Sequence, residues 1–344
     1  MHHLRSHGND DGAHKPRHRV TTSGQTVAGT EATLAPIATS FRSGRTYRLA
    51  YLGATSNSGS AHLQHALFAR LHDVGYIEGK NLVVERRFAE GEYERLEPIA
   101  AELATFDPDV LFVSGTQGAI AVSRVTRSIP VVFVTVSYPV AMGLVRSLTY
   151  PGTNMTGIVN HSDVLSRARL HLLREMFPKA KQVAVLYNPQ NAVEALMLAA
   201  IGEASEKLKM GIPHLVVKSD QDLNEAFDAL RGIRADALYV IESPLNFMHR
   251  ARIVESVSEE YLPAVYGFSE FADAGGLMSY SSSLVEQFRA AAGFIDKIFR
   301  GAKPAELPIE QPAKFELVIN LKTAKSLDII IPRSVLQRAD RVIQ

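Results

Sequence analysis

The chain has no cysteine among its 344 residues. That excludes disulfides, thiolate metal sites, cysteine nucleophiles and a lipidated cysteine, without fixing a compartment. No apolar run approaches the roughly 18–20 residues needed to span a bilayer, so a soluble chain with no membrane insertion is expected. Net charge is also small, with 37 Lys and Arg against 36 Asp and Glu, or +1 at pH 7. Six basic and three acidic residues fall in the first 46, leaving 31 against 33 in the remainder, and nothing in that balance suits nucleic acid. The signatures of several chemistries are missing as well. Gly115-Thr116-Gln117-Gly118 has neither the Walker spacing with its Lys nor G-x-G-x-x-G. Gly267-Phe268-Ser269-Glu270-Phe271 begins like a nucleophile elbow but lacks the closing glycine and a partner His. His62 and His65 lie three apart with no H-E-x-x-H and read as helix-surface residues. Asn154-Met155-Thr156 is formally a glycosylation acceptor and reads as a polar turn. No catalytic group, cofactor or metal is expected.

What is present is an ordinary hydrophobic content of 46% in a chain long enough for two domains. Residues 1–46, rich in His, Gly, Thr, Ser and Arg, show no period and read as a disordered tail; His2, His3, His7, His14 and His18 belong to that solvated segment. Thr26–Thr39 is too polar for a good signal-peptide core. From Tyr47 onward strands and helices alternate. Strands are expected at Arg48–Gly53, Asn81–Arg87 and Asp109–Val113, with helices at Ala61–Val74 and Glu92–Thr105 and another ending near Thr126. After Asn160 the pattern restarts. Helices are expected from Ser162 or Asp163 to Met176, at Ala192–Leu208, at Leu223–Leu230 and at Phe247–Tyr261; the strands between them fall at Gln182–Leu186, His214–Val217, Ala237–Ile241 and Ala264–Tyr266. The last third is less regular, with a short strand at Gly275–Tyr280, a helix at Leu284–Arg300, a proline-rich Lys303–Pro312, a strand at Phe315–Leu321 and an irregular end. Two like β/α series imply an α/β fold of two doubly wound parallel-sheet lobes.

The stretch Ile129–Asn160 joins the two series. Val131–Val136 is an unbroken apolar, β-branched run that reads as a parallel strand buried on both faces. Ser137-Tyr138-Pro139 follows where a helix would start, with Ser137 as a candidate N-cap and Pro139 tolerated in the first turn. Ligands in open α/β sheets bind outside such strand ends. Polar and aromatic residues gather there in both series: Thr55, Ser56, Asn57, Thr116, Gln117, Ser137 and Tyr138 in the first, with Tyr187, Asn188, Glu242, Tyr266 and Phe268 in the second. Taken singly each is as readily an ordinary loop residue; as a set they suit a cleft that closes on a small molecule. First-series hydroxyls and helix N-termini would hold a carboxylate, Glu242 would pair an ammonium, and the aromatic rings would stack on an apolar side chain. The Gly115–Gly118 turn serves equally well as an anion-binding turn or as a tight strand-to-helix connection.

Four segments carry a family resemblance: GLVRSLTYPGTNMTGI (Gly143–Ile158), LYNP (Leu186–Pro189), AGGLMSYS (Ala274–Ser281) and GAKPAELPIEQPAKFELVINLKTAKSLDIIIPRSVLQRAD (Gly301–Asp340). With them nearly all of Tyr47–Gln344 resembles the ABC transporter substrate-binding proteins of the type associated with tryptophan and tyrosine uptake. The resemblance implies a type 1 periplasmic binding protein-like fold whose lobes are joined by three crossings, near Thr156–His161, Ala274–Tyr280 and Ala302–Glu310. It places residues 47–158 with 277–302 in the first lobe and 159–276 with 303–344 in the second, and adds Asn160 at the hinge to the candidate site. It further implies a monomer in the periplasm that binds a small organic solute, an aromatic or other amino acid, and hands it to an ABC permease. Where the family usually has Asp-Pro-Val, this chain has Tyr138-Pro139-Val140, so a carboxylate that could face the ligand is missing. The alternatives are a ligand-sensing component of a signalling system, for which residues 1–46 offer no helix-turn-helix, and an α/β enzyme, for which no acid–base pair is found.

Overall fold

A computed structural model of the protein describes residues 44–312 and 314–344, so the tail expected over 1–46 lies outside the described residues except for its last three positions. The first series folds as β1 (Tyr47–Gly53), α1 (Ala61–Asp73), β2 (Leu82–Phe88), α2 (Leu96–Thr105), β3 (Val110–Ser114), α3 (Thr116–Val125), β4 (Val131–Val136) and β5 (Met155–Val159). These strands form one parallel sheet in the order β2-β1-β3-β4-β5. Strands β3 and β4 are almost wholly buried, because α1 covers one face of the sheet and α2 with α3 the other.

The second series runs α4 (Ser162–Met176), β6 (Val183–Tyr187), α5 (Ala192–Leu208), β7 (His214–Val216), α6 (Asp222–Ile233), β8 (Ala237–Val240), α7 (Pro244–Met248), α8 (Arg250–Glu259), β9 (Ala264–Tyr266), α9 (Ser269–Asp273) and β10 (Met278–Ser281). The chain then returns to the first lobe as α10 (Leu284–Phe299), which packs on α1 and β4. It ends in the second lobe with β11 (Glu316–Asn320), α11 (Leu321–Ser326), α12 (Arg333–Leu336) and β12 (Arg341–Ile343). The second sheet has the order β12-β11-β10-β9-β8-β6-β7 and is parallel except between β10 and β11. Two doubly wound lobes are thus present, as expected.

Three expectations need correction. No helix follows β4. Tyr138 takes a left-handed conformation (φ 52°) ahead of Pro139, as a pre-proline residue is kept out of the right-handed helix, and Gly143 (φ 70°) turns the chain again. Met142 N–H bonds the Tyr138 carbonyl at 2.9 Å and Leu144 N–H the Pro139 carbonyl at 2.9 Å, closing turns instead of a helix. Second, the return crossing lies after Ser281, ahead of α10, and not at Ala274–Tyr280, because Met278 and Ser279 pair with β9 and Met278 to Ser281 with β11 in the second sheet; residues 277–281 therefore sit with the second lobe. Third, α4 is not capped by Ser162 or Asp163; the cap position is His161, which makes no side-chain cap bond.

The crossings are tied together by buried polar side chains. Ser137 Oγ and Ser162 Oγ lie 2.6 Å apart, Asn160 Oδ1 accepts from Ser282 Oγ at 3.1 Å, and Gln287 Nε2 donates to Ser282 Oγ at 2.8 Å. Gln287 Oε1 in turn accepts the Thr135 N–H at 3.1 Å. That N–H is free for a side chain because β4 bulges between Phe133 and Val136, with Thr135 at φ 54°. The residues before Glu310 run along β5, where Val159 N–H bonds the Glu310 carbonyl and Glu310 N–H the Gly157 carbonyl.

Candidate functional site

A cavity opens between the strand ends of the two lobes. Its volume is about 90 Å³, on a measure by which one water needs roughly 10–15 Å³. From the first lobe it is lined by Thr55, Ser114, Gly115, Thr116, Gln117, Thr135 and Ser137, with Leu63, Leu284 and Phe288 from helices; the hinge gives Asn160, and the second lobe gives Asn191, Val193, Met197, Glu242, Ser243, Phe247 and Phe268.

Each wall follows from local structure. Gly115, at φ 82°, makes the sharp exit from β3 and leaves α3 without a side-chain cap, so its first N–H groups have no intrahelical partner and carry the positive end of the helix dipole. A Cβ on Gly118 would come 2.7 Å from Val113 Cγ2, which lets the helix start close against the sheet. Thr116 Oγ1 accepts the Ser137 N–H at 2.9 Å and fixes the neighbouring strand end. On the other side Ser243 caps α7 by accepting the Asn246 N–H at 3.1 Å, with Pro244 in its first turn. That cap aims Phe247 into the first lobe's core cluster, where it is 3% exposed and meets Phe268 edge-on at 5.7 Å.

Glu242 lies just beyond β8 and is 6% exposed. Its Oε2 is bound by Arg169 of α4, while Oε1 has no hydrogen-bond partner among the described residues. Burial works against the Arg169 charge, but the Glu242 carboxylate and the Tyr239 ring outweigh it and hold Arg169 above the usual range. Nearby Glu194 is fully buried; burial pushes its carboxyl well above the ordinary value, although it accepts N–H bonds from Asn188 at 2.6 Å and Asn191 at 3.0 Å.

The lobes touch directly at this site. Gln117 Nε2 donates to Asn191 Oδ1 at 2.8 Å, Asn191 Nδ2 reaches Tyr93 Oη at 3.4 Å, and His62 Nε2 lies 3.4 Å from Glu270 Oε1. The conformation is therefore closed.

Of the residues singled out in the sequence, Thr55, Thr116, Gln117, Ser137, Asn160, Glu242 and Phe268 come together at the cavity. The others do not line it. Ser56 Oγ accepts the Gly59 N–H and Asn57 Oδ1 accepts from Gln64, both shaping the approach to α1. Tyr138 is half-buried and packs with Met142 against the second lobe's core, so its side chain faces the other lobe. Tyr187 stacks edge-on with His214 at 5.4 Å. Asn188 is buried and accepts the Gln190 N–H. Tyr266 is sealed in the core, 4.8 Å from Phe271. Sequence reasoning missed Asn191, Phe247, Leu284 and Phe288. Asn191 carried a readable N-cap signal, whereas α10 reaches the cavity through a contact that no local pattern encodes.

A hinged pair of α/β lobes with a small cavity between them is the arrangement of a solute-binding protein. A family model described as ABC transporter substrate binding protein matches residues 56–343, and the chain belongs to that family. Its role in that family is to bind a small solute for delivery to an ABC permease. The chain is similar to a tyrosine-binding protein of Clostridioides difficile (strain R20291), 26% identical over 261 residues, which cover 75% of this chain and 74% of that protein. Among solved structures, a conserved domain protein of Vibrio cholerae superposes with a TM-score of 0.80 at 25% identity, over 87% of this chain and 100% of the other. An ABC domain from Streptococcus pneumoniae in complex with L-Trp superposes with a TM-score of 0.78 at 22% identity, over 86% and 100%. The fold is that of the type 1 periplasmic binding proteins. No described helix is long and apolar enough to cross a membrane.

Proposed function

We propose that the solute is an α-amino acid with an aromatic side chain, bound as its zwitterion. The observation that carries this reading is the pairing, in one cavity, of the unpartnered Glu242 Oε1 with the uncapped N-terminus of α3. The first suits an ammonium and the second a carboxylate. Leu63, Phe247, Phe268, Leu284 and Phe288 supply an apolar, largely aromatic wall, where ring–ring contact adds about 0.5–1.5 kcal/mol to area burial. The tyrosine-binding relative and the relative solved with L-Trp support the same ligand class.

Calorimetric titration with L-tyrosine, L-tryptophan and L-phenylalanine, beside tyramine and 3-phenylpropionate, tests it. The amino acids bind, and the analogues lacking one charged group lose about 2–5 kcal/mol, the usual cost of removing one partner of a buried charged pair. Equal binding of 3-phenylpropionate would remove Glu242 from its role, and binding of sugars alone would overturn the ligand class. The same reading has the protein work as a monomer in the periplasm, which sedimentation and cell fractionation check.

A further inference from the structure

Arg169 is 0% exposed, and its guanidinium is spent on the ends of three neighbouring strands. Nε donates to the Tyr280 carbonyl of β10 at 2.7 Å, one terminal nitrogen to Tyr239 Oη of β8 at 3.2 Å and to Glu242 Oε2, and the other to the Gly267 carbonyl just past β9 at 3.3 Å. Gly267 backs the same carboxylate. A Cβ there would fall 2.6 Å from Glu242 Oε2, so only glycine lets Glu242 occupy this place. The carboxylate is thus pinned at one oxygen, while the other has no hydrogen-bond partner among the described residues and Glu242 lines the cavity.

We propose that Arg169, which does not line the cavity, is the positioning residue that sets what Glu242 can recognise: a single-point ammonium donor, and not a guanidinium fork. The inference rests on the ligand reading above. A free carboxylate accepts an arginine-like ligand through both oxygens, but here Oε2 is already occupied, so one acceptor on an ion pair of zero net charge remains. The titratable groups around Glu242 are Arg169 on α4, Tyr239 on β8, Glu194 on α5 and Tyr138 on the loop after β4. Of these only Arg169 is a cation. Without it both oxygens of the Glu242 carboxylate are open to a ligand, and the single-point geometry is lost.

The test compares Glu242→Gln, Arg169→Met, Arg169→Lys and the double variant Arg169→Met/Glu242→Gln with the native chain. L-tryptophan, L-tyrosine and L-arginine are titrated against each. Glu242→Gln is expected to weaken the aromatic amino acids at least thirtyfold. Arg169→Met, which leaves the carboxylate unpinned, should narrow the preference for the aromatic amino acids over L-arginine at least tenfold; the double variant, which lacks the carboxylate as well, should bind L-arginine no better than Glu242→Gln does. Arg169→Lys, which keeps the charge but not the fork, should bind the aromatic amino acids at least threefold more weakly and relax the exclusion of L-arginine. Unchanged affinity in Glu242→Gln, or no binding of either aromatic amino acid to the native chain, overturns the ligand reading. Native affinity and native discrimination in Arg169→Met overturn the role of Arg169. If Arg169→Met does not fold, native affinity and native discrimination in Arg169→Lys overturn it instead.

Discussion

Removing the Gln117 side chain should weaken solute binding without touching the fold. Its Nε2 donates to Asn191 Oδ1 at 2.8 Å, from α3 of one lobe to the cap of α5 in the other, so the bond exists only when the cleft is closed. A neutral hydrogen bond contributes about 0.5–1.5 kcal/mol net, or roughly 2- to 13-fold in an equilibrium. If the unliganded protein is mostly open, affinity is divided by that whole factor, because apparent affinity scales with the closed fraction. Asn191→Ala is the informative contrast. Asn191 also accepts the Val193 N–H at 3.1 Å as N-cap and donates to Glu194, so its loss costs about 1 kcal/mol for the cap and about 1–3 kcal/mol for a carboxyl oxygen stripped of its donor. Gln117→Ala should therefore lower affinity for L-tyrosine or L-tryptophan with an unchanged melting temperature, and Asn191→Ala should lower both. Calorimetric titration, differential scanning calorimetry and small-angle scattering of the ligand-free forms read the two effects. Native affinity in Gln117→Ala, with Asn191→Ala and the double variant equally weak, would show that the cross-cleft bond contributes nothing to closure.

Four further outcomes are expected. Phe247→Ala should weaken binding more than tenfold yet destabilise the ligand-free protein less than Phe112→Ala, a fully buried core position where such truncation costs about 3–5 kcal/mol; thermal melts of both variants compare them. Gly157→Ala should fail to fold or lose more than about 4 kcal/mol, since its Cβ would lie 2.0 Å from the Phe133 carbonyl oxygen at φ 145°, whereas Gly293→Ala, with open space around it in α10, should gain about 0.4–1 kcal/mol in denaturant titration. Burial raises Glu194 well above the ordinary carboxyl value, so the folded state disfavours its ionised form and loses stability as pH rises through that raised value. The melting temperature of Glu194→Gln relative to the native chain should accordingly improve between pH 5 and 8. Tyr138→Ala should weaken all solutes by a common factor, because Tyr138 packs on the second lobe's core and not on the cavity; a changed ranking among tyrosine, tryptophan and phenylalanine would contradict that placement.

The elements legible in the sequence were those whose burial is written locally. Val131–Val136, Ala192–Leu208 and Ala264–Tyr266 have the bounds expected of them, because strands covered on both faces are continuous apolar runs and Asn191 marks a helix start. Phe247–Tyr261 was read as one helix, although the Ser243-Pro244 cap starts α7 earlier and the chain breaks at His249. The short α11, α12 and β12 escaped notice since their order comes from packing on β11, as the pairing of Arg341–Ile343 with Val318–Asn320 shows. In the same way the strand-end rule found the polar part of the cavity, but the bulge at Thr135 and the reach of Phe288 from α10 depend on contacts far apart in sequence. The rule also over-collected. Tyr187, Asn188 and Tyr266 sit at strand ends yet turn into the second lobe's interior, since strand-end position does not fix which way a side chain points.

The division of chemistry between the lobes bears on why closure and binding are one event. The first lobe offers an uncapped helix N-terminus, hydroxyls and the apolar faces of α1 and α10; the second offers the Glu242 oxygen, Phe247 and Phe268. A solute carrying only an anionic group would be satisfied by the first lobe alone, and one carrying only an ammonium by the second. Neither would gain more in the closed state than in the open one, and a ligand shifts an equilibrium only by its differential affinity for the two states. A zwitterion with a ring between its charges and the apolar wall has unsatisfied groups until both lobes engage it. The Gln117–Asn191 bond and the insertion of Phe247 into the first lobe then add to a closure that the solute has already favoured. On this reading selectivity for the zwitterion lies less in any one contact than in the distance across the cleft between Glu242 and the start of α3.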